Sequence, residues 1–320
     1  MGTMDFLLAK LIVTLRSHAQ VVDPYVLFSL KGDFGQSFKQ YVCHAGGLCA
    51  VCPSRPECSH QATFSRELAT DPIALKRHQK PSVPFVFQIP VLQTPLAIGD
   101  EVEVCLILVG SATQYVAEYW GALQHLFQQN SANAGLPFSL VRLESAGCSG
   151  FRTLLAIAAG PLKTDLLTTI SFDDLAALNT LDPQRIALRF TTPLRIAREG
   201  NFLREFSFPL FVRTLLRRIS SLAYYYYGSI LEMDFKRLSA LSESIEITEN
   251  CFRWEEWRKG RLCGIIGTGV LSGELTDFHP VLLLGEYLNC GKDAPFGLGK
   301  YELYRQPSGG SSIVAPAPSQ

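Results

Sequence analysis

Alternating apolar and polar positions divide the chain into two successive sets of strands and helices. The first set lies before residue 180 and begins with an apolar, β-branched segment that is typical of a buried strand. The pattern predicts, in chain order, a strand over 6–16, a short helix around Phe34, Phe38 and Tyr41, an irregular stretch around Pro81 to Pro90, a strand over 101–109, a helix over 115–129 and two strands within 136–159.

The second set begins after Pro183 and contains the strongest helical pattern in the chain. Its apolar positions recur every three or four residues over 208–226, and Ser207 stands where an N-cap is expected. The other elements predicted here are a strand over 185–196, a single strand or tight hairpin over 261–276, a helix near 278–288 and a strand over 300–305.

Each set reads strand, helix, strands, helix, strand, which is the order of the ferredoxin-like βαββαβ unit. We therefore expect an α+β protein with two tandem ferredoxin-like (RRM-like) domains, over 1–180 and 183–305, and a mobile tail over 306–320. No sequence repeat relates the halves, so this interpretation depends on element order alone.

The charge is balanced overall but uneven locally. Lys and Arg number 29 and Asp and Glu 29, so no whole-protein field attracts nucleic acid. Residues 185–218, however, carry eight arginines against two glutamates. Arg213, Arg217 and Arg218 on the long helix are candidate RNA ligands, because guanidinium groups bind phosphate with two parallel hydrogen bonds. The alternative is an ordinary solvated helix face.

The chain shows no targeting or membrane signal. No apolar run reaches the roughly 18 residues that span a bilayer, and Asp5 replaces the basic start of a signal peptide. The cytoplasm is therefore the expected compartment, with no membrane partner.

A glycine-rich loop over 291–299 lies between the last predicted helix and strand. Gly291, Gly297 and Gly299 would let a phosphate approach the backbone N–H groups, and Lys292 and Lys300 would supply positive charge. The alternative is a tight turn with no ligand. Both known nucleotide loops follow a strand, whereas this loop follows a helix.

Four of the nine cysteines lie in a cysteine-rich loop over 43–60. Cys43, Cys49, Cys52 and Cys58 are spaced for a structural zinc, with His44 or His60 able to replace one thiolate. Buried unliganded cysteines and a redox pair are the alternatives. Four thiolates leave no open position, so such a zinc would not be catalytic.

The glycine-rich loop ends in Phe-Gly-Leu-Gly-Lys-Tyr, and in this it resembles the CRISPR repeat-processing endoribonucleases of the repeat-associated (RAMP) superfamily. Four other segments are similar to that family: Thr191–Arg195, Phe211–Arg218 with the tyrosine run 224–227, Gly264–Phe278, and Pro280–Glu286. The resemblance covers about 190–305. The first half matches less specifically, through Gly32–Gly35 and the cysteine loop.

This resemblance implies two ferredoxin-like domains and cleavage of CRISPR repeat transcripts (pre-crRNA) into guide RNAs. No catalytic cofactor would be needed. The 2′-hydroxyl of the RNA would attack, leaving a 5′-hydroxyl and a 2′,3′-cyclic phosphate. Two alternatives are a non-catalytic RNA-binding subunit of a CRISPR effector complex and a zinc-stabilised interaction protein. The expected partners are repeat RNA and effector subunits.

The resemblance also implies a catalytic histidine in or just after the first helix. His44 occupies that place, with Tyr41 one turn before it. Many relatives also carry a histidine after the helix-opening glycine, but here Gln36 follows Gly35. His60 is the alternative to His44, and three further histidines are weaker candidates: His18, His125 and His279.

Overall fold

A computed structural model describes residues 6–44, 49, 52–53, 57–72, 81–132, 136–231, 233–258 and 262–304. The expected tail over 306–320 and part of the cysteine loop lie outside these residues. Within them, no helix is long and apolar enough to cross a membrane.

The first half of the chain forms one antiparallel sheet with helices packed on it. Its elements are β1 (Leu7–Ser17), α1 (Leu30–Val42), α2 (Ser59–Phe64), β2 (Phe85–Gln88), β3 (Glu101–Val109), α3 (Val116–Ala132), β4 (Phe138–Ala146), β5 (Arg152–Ile157), β6 (Ile170–Ser171) and α4 (Phe172–Ala177). The strand order is β2-β3-β1-β4-β5, with β6 paired to the start of β1. The first four of these strands have the order of a ferredoxin-like sheet.

The second half repeats this arrangement. Its elements are β7 (Arg185–Leu194), β8 (Ala197–Arg198), β9 (Asn201–Phe202), α5 (Phe208–Tyr227), α6 (Phe235–Ser242), β10 (Glu246–Asn250), β11 (Arg253–Trp257), β12 (Leu262–Ser272), α7 (His279–Leu288) and β13 (Tyr301–Tyr304). The strand order is β10-β12-β7-β13, with β11 paired to the first half of β12. The prediction of two ferredoxin-like units in an α+β protein is confirmed.

Two apolar cores hold these layers together. In the first, α1 and α3 cover one face of the first sheet, and Phe34 and Phe38 of α1 are fully buried there. The second core lies under α5 and α7, but it also includes Leu8, Val86 and Ile107 from the opposite face of the first sheet. The two halves therefore share a continuous apolar interior.

Some local predictions were wrong. The stretch between Pro81 and Pro90, predicted to be irregular, contains the buried strand β2. Of the two alternatives for residues 261–276, the single strand is confirmed. Ser207 does precede α5, but its side chain makes no capping hydrogen bond. Pro209 in the first turn suits that helix start, because proline has no N–H to leave unpaired.

Candidate functional site

The glycine-rich loop lies between the two sheets. The backbone N–H of Phe87 in β2 donates to the carbonyl oxygen of Pro295 at 2.8 Å, and the Phe296 ring packs edge-on against Phe85 with 5.5 Å between centroids. Leu298 is buried in the core of the first half. The loop is therefore a turn that also holds the two domains together through a hydrogen bond and apolar packing.

The glycines of the loop serve close backbone packing. Gly291 and Gly299 have positive φ angles of 89° and 65°, and a Cβ on them would collide with the carbonyl groups of Arg195 and Cys290. The N–H of Gly299 donates to Pro193 O at 3.0 Å, and that of Gly297 to Ala294 O at 3.3 Å. Because these N–H groups already have protein partners, the loop matches the tight-turn alternative here.

A carboxylate in this loop binds one cation from each domain. Asp293 Oδ1 lies 2.8 Å from Lys31 Nζ at the start of α1, and Asp293 Oδ2 lies 3.2 Å from Arg195 Nη1 at the end of β7. The Arg195 side chain is only 9% exposed, and its Nε donates to Cys263 O at 2.6 Å. Lys31 is half exposed, so the cluster opens to solvent on its side.

The two lysines that were predicted to supply positive charge to the loop differ in their exposure. Lys292 is exposed, and its Nζ lies 5.4 Å from the centre of the Phe202 ring. Lys300 is half-buried, and its backbone N–H donates to Thr192 Oγ1 at 2.8 Å. Lys292 is therefore the part of the glycine-rich loop that is best placed to meet a ligand.

The three arginines of α5 do not share one surface. Arg213 Nε donates to Ser239 Oγ of α6 at 2.6 Å, Arg217 is exposed, and Arg218 is half-buried with Nη2 of its guanidinium enclosed. Arg218 Nε donates to Leu288 O at 2.9 Å, and burial lowers the pKa of its guanidinium to about 10. Of the three, Arg217 is the one most available to RNA.

The candidate catalytic residues lie at the far end of α1. Tyr41 and His44 are exposed at its C-terminal end, and the Tyr41 ring packs against Gly121 of α3. The helix has 13 residues, so its ends are roughly 20 Å apart. Lys31, which meets the glycine-rich loop, is at the other end. The structure therefore does not bring His44 to this loop.

Three of the other histidines that the structure describes are surrounded by protein groups. His60 in α2 is half-buried and stacks on Phe64 with 5.2 Å between ring centroids, and burial, with a smaller effect of Lys39, lowers its pKa. His125 Nδ1 lies 3.1 Å from Ser37 Oγ. His279 is buried and its Nδ1 lies 3.1 Å from Asn179 Nδ2, whereas His18 is exposed.

Each half of the chain matches a known protein family. Residues 188–301, which include β7, α5 and the glycine-rich loop, match the family described as CRISPR-associated endoribonuclease Cas6. The second half of the chain therefore belongs to the Cas6 family. Residues 6–161 match the N-terminal domain family AF_1859_N. A comparison with curated protein sequences gives no significant match.

Solved structures of Cas6 proteins share this fold. A chain of the partial Cas6-RT-Cas1–Cas2 complex is 15% identical with a TM-score of 0.59, and it covers 98% of this chain. This chain spans only 48% of that longer protein. Thermus thermophilus Cas6 is 14% identical with a TM-score of 0.52, over 95% of this chain and 100% of its own length. The Cas6 product complex is 15% identical with a TM-score of 0.54, over 93% of this chain and 100% of its own.

The four predicted zinc ligands do not form a cluster in the part of the cysteine loop that the structure describes. Among the residues that the structure describes, which include all four predicted ligands, no three His, Cys, Asp or Glu side chains lie close enough to hold an ion. Cys43, Cys49, Cys52 and Cys58 are separate, half-buried thiols. Residues 45–48, 50–51 and 54–56 lie outside the described part. Thiolates are the ligands zinc prefers, so the zinc site stays a prediction.

Sequence reasoning missed four residues around the loop. Lys31, Arg195, Phe202 and Asp293 meet here, although Asp293 is part of the quoted loop and Lys31 directly precedes Gly32. Their residue types alone gave no signal, because their proximity depends on how the two domains pack.

Proposed function

We propose that this Cas6-family protein cleaves CRISPR repeat transcripts into guide RNAs without a catalytic metal. The observation that carries the proposal is the match of residues 188–301 to the Cas6 endoribonuclease family, which includes the whole glycine-rich loop. One similar protein is a Cas6 product complex, which supports an RNA ligand. Another belongs to a Cas6-RT-Cas1–Cas2 complex, which supports the expectation of CRISPR protein partners.

The proposed reaction is an intramolecular transesterification. The 2′-oxygen attacks the adjacent phosphorus, the P–O5′ bond breaks, and a 5′-hydroxyl and a 2′,3′-cyclic phosphate remain. One group must accept the 2′-hydroxyl proton and another must protonate O5′. We assign this proton transfer to His44 with Tyr41, because both are exposed at the C-terminal end of α1 and only three positions apart in the sequence. His60 is the alternative, but its stacking on Phe64 limits its reach.

Positive charge near the glycine-rich loop supports the binding part of the proposal. Lys31 and Arg195 are fixed by Asp293, and Lys292 is exposed beside them. Cations of this kind favour binding of the phosphate backbone. Arg217 on α5 would extend this surface, so Arg217→Ala should weaken RNA binding and reduce its salt dependence, whereas Arg237→Ala on α6 should not.

The deciding experiment uses repeat RNA from the same genome in the presence of EDTA. We expect cleavage with a 2′,3′-cyclic phosphate on the upstream product. RNA with a 2′-deoxy nucleotide before the cut should bind and stay intact. Cleavage of that RNA, or dependence on added metal ions, would refute the mechanism.

The distance between His44 and the glycine-rich loop favours one second candidate, a non-catalytic RNA-binding subunit of an effector complex. Single-turnover rates separate the two. His44→Ala should reduce the rate by about 100-fold with unchanged thermal stability and RNA affinity, and Tyr41→Phe by less. Full activity of His44→Ala would transfer the assignment to His60. Binding of repeat RNA without any cleavage by the unmodified protein would establish the second candidate.

A further inference from the structure

Two aromatic side chains with cations above their rings lie next to the glycine-rich loop. The Phe202 ring lies 5.5 Å from the guanidinium carbon of Arg195 and 5.4 Å from Lys292 Nζ. The guanidinium of Arg204 lies 5.3 Å from the centre of the Trp254 ring. We call these five residues the hairpin platform, because three of them lie on or beside the β8–β9 hairpin.

The backbone fixes the hairpin platform beside the loop. Arg195 and Gly291 form a parallel bridge, in which the N–H of Lys292 donates to Arg195 O at 2.8 Å. The chain then turns back at Gly200, where φ is 85°, and the N–H of Leu203 donates to Ile196 O at 2.9 Å. This return places Phe202 and Arg204 next to strands of the second sheet. The aromatic pairs are therefore part of a defined hairpin.

Cations outnumber carboxylates on the hairpin and loop side of this surface, whereas Trp254 has a carboxylate beside it, because its Nε1 donates to Glu256 Oε1 at 3.3 Å. Residues 195–205 contain three arginines and two glutamates, and Lys31 and Lys292 add two ammonium groups at the loop. The carboxylate of Asp293 is already paired with Lys31 and Arg195. Arg198 and Glu199 are both exposed on the tip of the hairpin, 3.6 Å apart, so they nearly cancel. An anionic ligand is favoured over a neutral one.

We propose that the hairpin platform binds unpaired nucleotides of the RNA by base stacking. The inference rests on the proposed function and names the part of the substrate that is held here. Single-stranded RNA binding combines cations that follow the backbone with aromatic rings on which bases stack. A guanidinium group can stack on aromatic rings and on bases, so Arg204, 5.3 Å from the Trp254 ring centre, extends the Trp254 surface. Bases in a duplex stack on one another and present no free face, which makes a single-stranded segment the occupant.

The proposal is tested by measuring the affinity for a short single-stranded RNA. A 2′-deoxy nucleotide at the cleavage position prevents this RNA from being cut. Trp254→Ala and Phe202→Ala should each lower affinity about tenfold or more, the range of one lost stacked base. Arg204→Ala should lower the affinity for RNA. It should also reduce the slope of log affinity against log salt concentration by about one at most, the value for one lost phosphate contact. The matched controls are Trp257→Phe, whose indole stacks on Tyr25 at 4.7 Å, and Arg237→Ala, an exposed arginine on α6. Both controls should bind within twofold of the unmodified protein.

Intrinsic fluorescence keeps the proposal testable if an alanine variant does not fold. The chain has three tryptophans, and Trp120 is buried in the first core. In the Trp257→Phe protein, added RNA should quench the emission, and the further change Trp254→Phe should abolish most of that quenching. Unchanged quenching after Trp254→Phe, or affinities within twofold of normal for folded Phe202→Ala and Trp254→Ala, would overturn the proposal.

These outcomes are independent of cleavage. If repeat RNA is cleaved but the platform variants bind normally, the proposed function stands and this inference fails. If no RNA is cleaved but the platform variants lose affinity, the inference stands and the proposed catalysis fails. If the platform variants bind RNA with normal affinity but no longer bind an acidic protein, the platform serves a different partner and the RNA proposal is refuted.

Discussion

Lys31 and Asp293, one from each domain, form an ion pair with 2.8 Å between Nζ and Oδ1. The second carboxylate oxygen of Asp293 lies 3.2 Å from Arg195. One acidic side chain in the glycine-rich loop thus pairs with two cations that belong to different domains. Asp293 has a φ of 65°, in the left-handed region where aspartate and asparagine occur more often than most residues.

Asp293→Asn should destabilise the protein without altering the turn, because asparagine tolerates the same backbone conformation. Arg195 would lose its counter-charge while 9% exposed, and we expect the free energy of unfolding to fall by about 1–3 kcal/mol. Lys31→Met removes only a half-exposed partner and should cost about 1 kcal/mol or less. Urea titrations of both variants give the comparison. Equal losses would mean that Arg195 does not depend on Asp293.

Gly299→Ala should be more damaging than Gly200→Ala. Both glycines have positive φ, so each alanine variant bears the left-handed strain of about 1–2 kcal/mol. Only at Gly299 would the new Cβ also collide with the carbonyl oxygen of Cys290, whereas nothing lies within 4 Å of a Cβ at Gly200. The difference in melting temperature between Gly299→Ala and Gly200→Ala measures the effect of the collision alone. Similar melting temperatures would show that the loop can move away from Cys290.

The order of elements was predictable because most of them contain either an apolar run or regularly spaced apolar residues. β1, β3, α3, β7, α5 and α7 do, and their bounds lie close to the predicted ones. β2 was missed because prolines surround its four residues. β10 and β11 were missed because their sequences, EITEN and RWEEW, contain few apolar residues. Both pair only with β12, and such edge strands show little apolar alternation.

The site was less predictable than the fold, for a physical reason. The spacing of Gly291, Gly297 and Gly299 indicates backbone freedom, but whether a phosphate or a protein carbonyl approaches depends on distant segments. Here Pro193 and Arg195 are those neighbours. In the same way, the sequence places His44 after α1 but does not reveal that the opposite end of α1 meets the loop.

His60 should make stability depend on pH. Burial lowers its pKa in the folded protein below the ordinary value of about 6.5, so the folded state binds the proton less well than the unfolded chain. Its contribution to stability is therefore complete above pH 6.5 and is lost as the pH falls through the folded pKa. His60→Gln should flatten the stability profile between pH 5 and 7 in urea titrations. The exposed His18→Gln serves as control, and an identical profile for both would contradict the assignment.

Metal analysis of protein prepared without chelator tests the cysteine loop. If Cys43, Cys49, Cys52 and Cys58 close around zinc, we expect about one zinc per chain, because four thiolates complete a tetrahedral site. Cys49→Ser should then lower both zinc content and melting temperature. Cys251→Ser, at an exposed cysteine of the other domain, should change neither. A metal-free unmodified protein would leave the thiols as unliganded side chains.

The interior shared by the two domains has a consequence for biosynthesis. Leu8, Val86 and Ile107 need the second domain as their cover, and Gln88 of the same sheet donates to Glu286 O of α7 at 2.6 Å. The first sheet is complete once residue 171 has been made, but α7 begins only at residue 279. At ordinary synthesis rates of about 5–20 residues per second, roughly 5 to 20 seconds separate these events. During that interval the nascent sheet presents an uncovered apolar face on the ribosome, where a chaperone of nascent chains would bind.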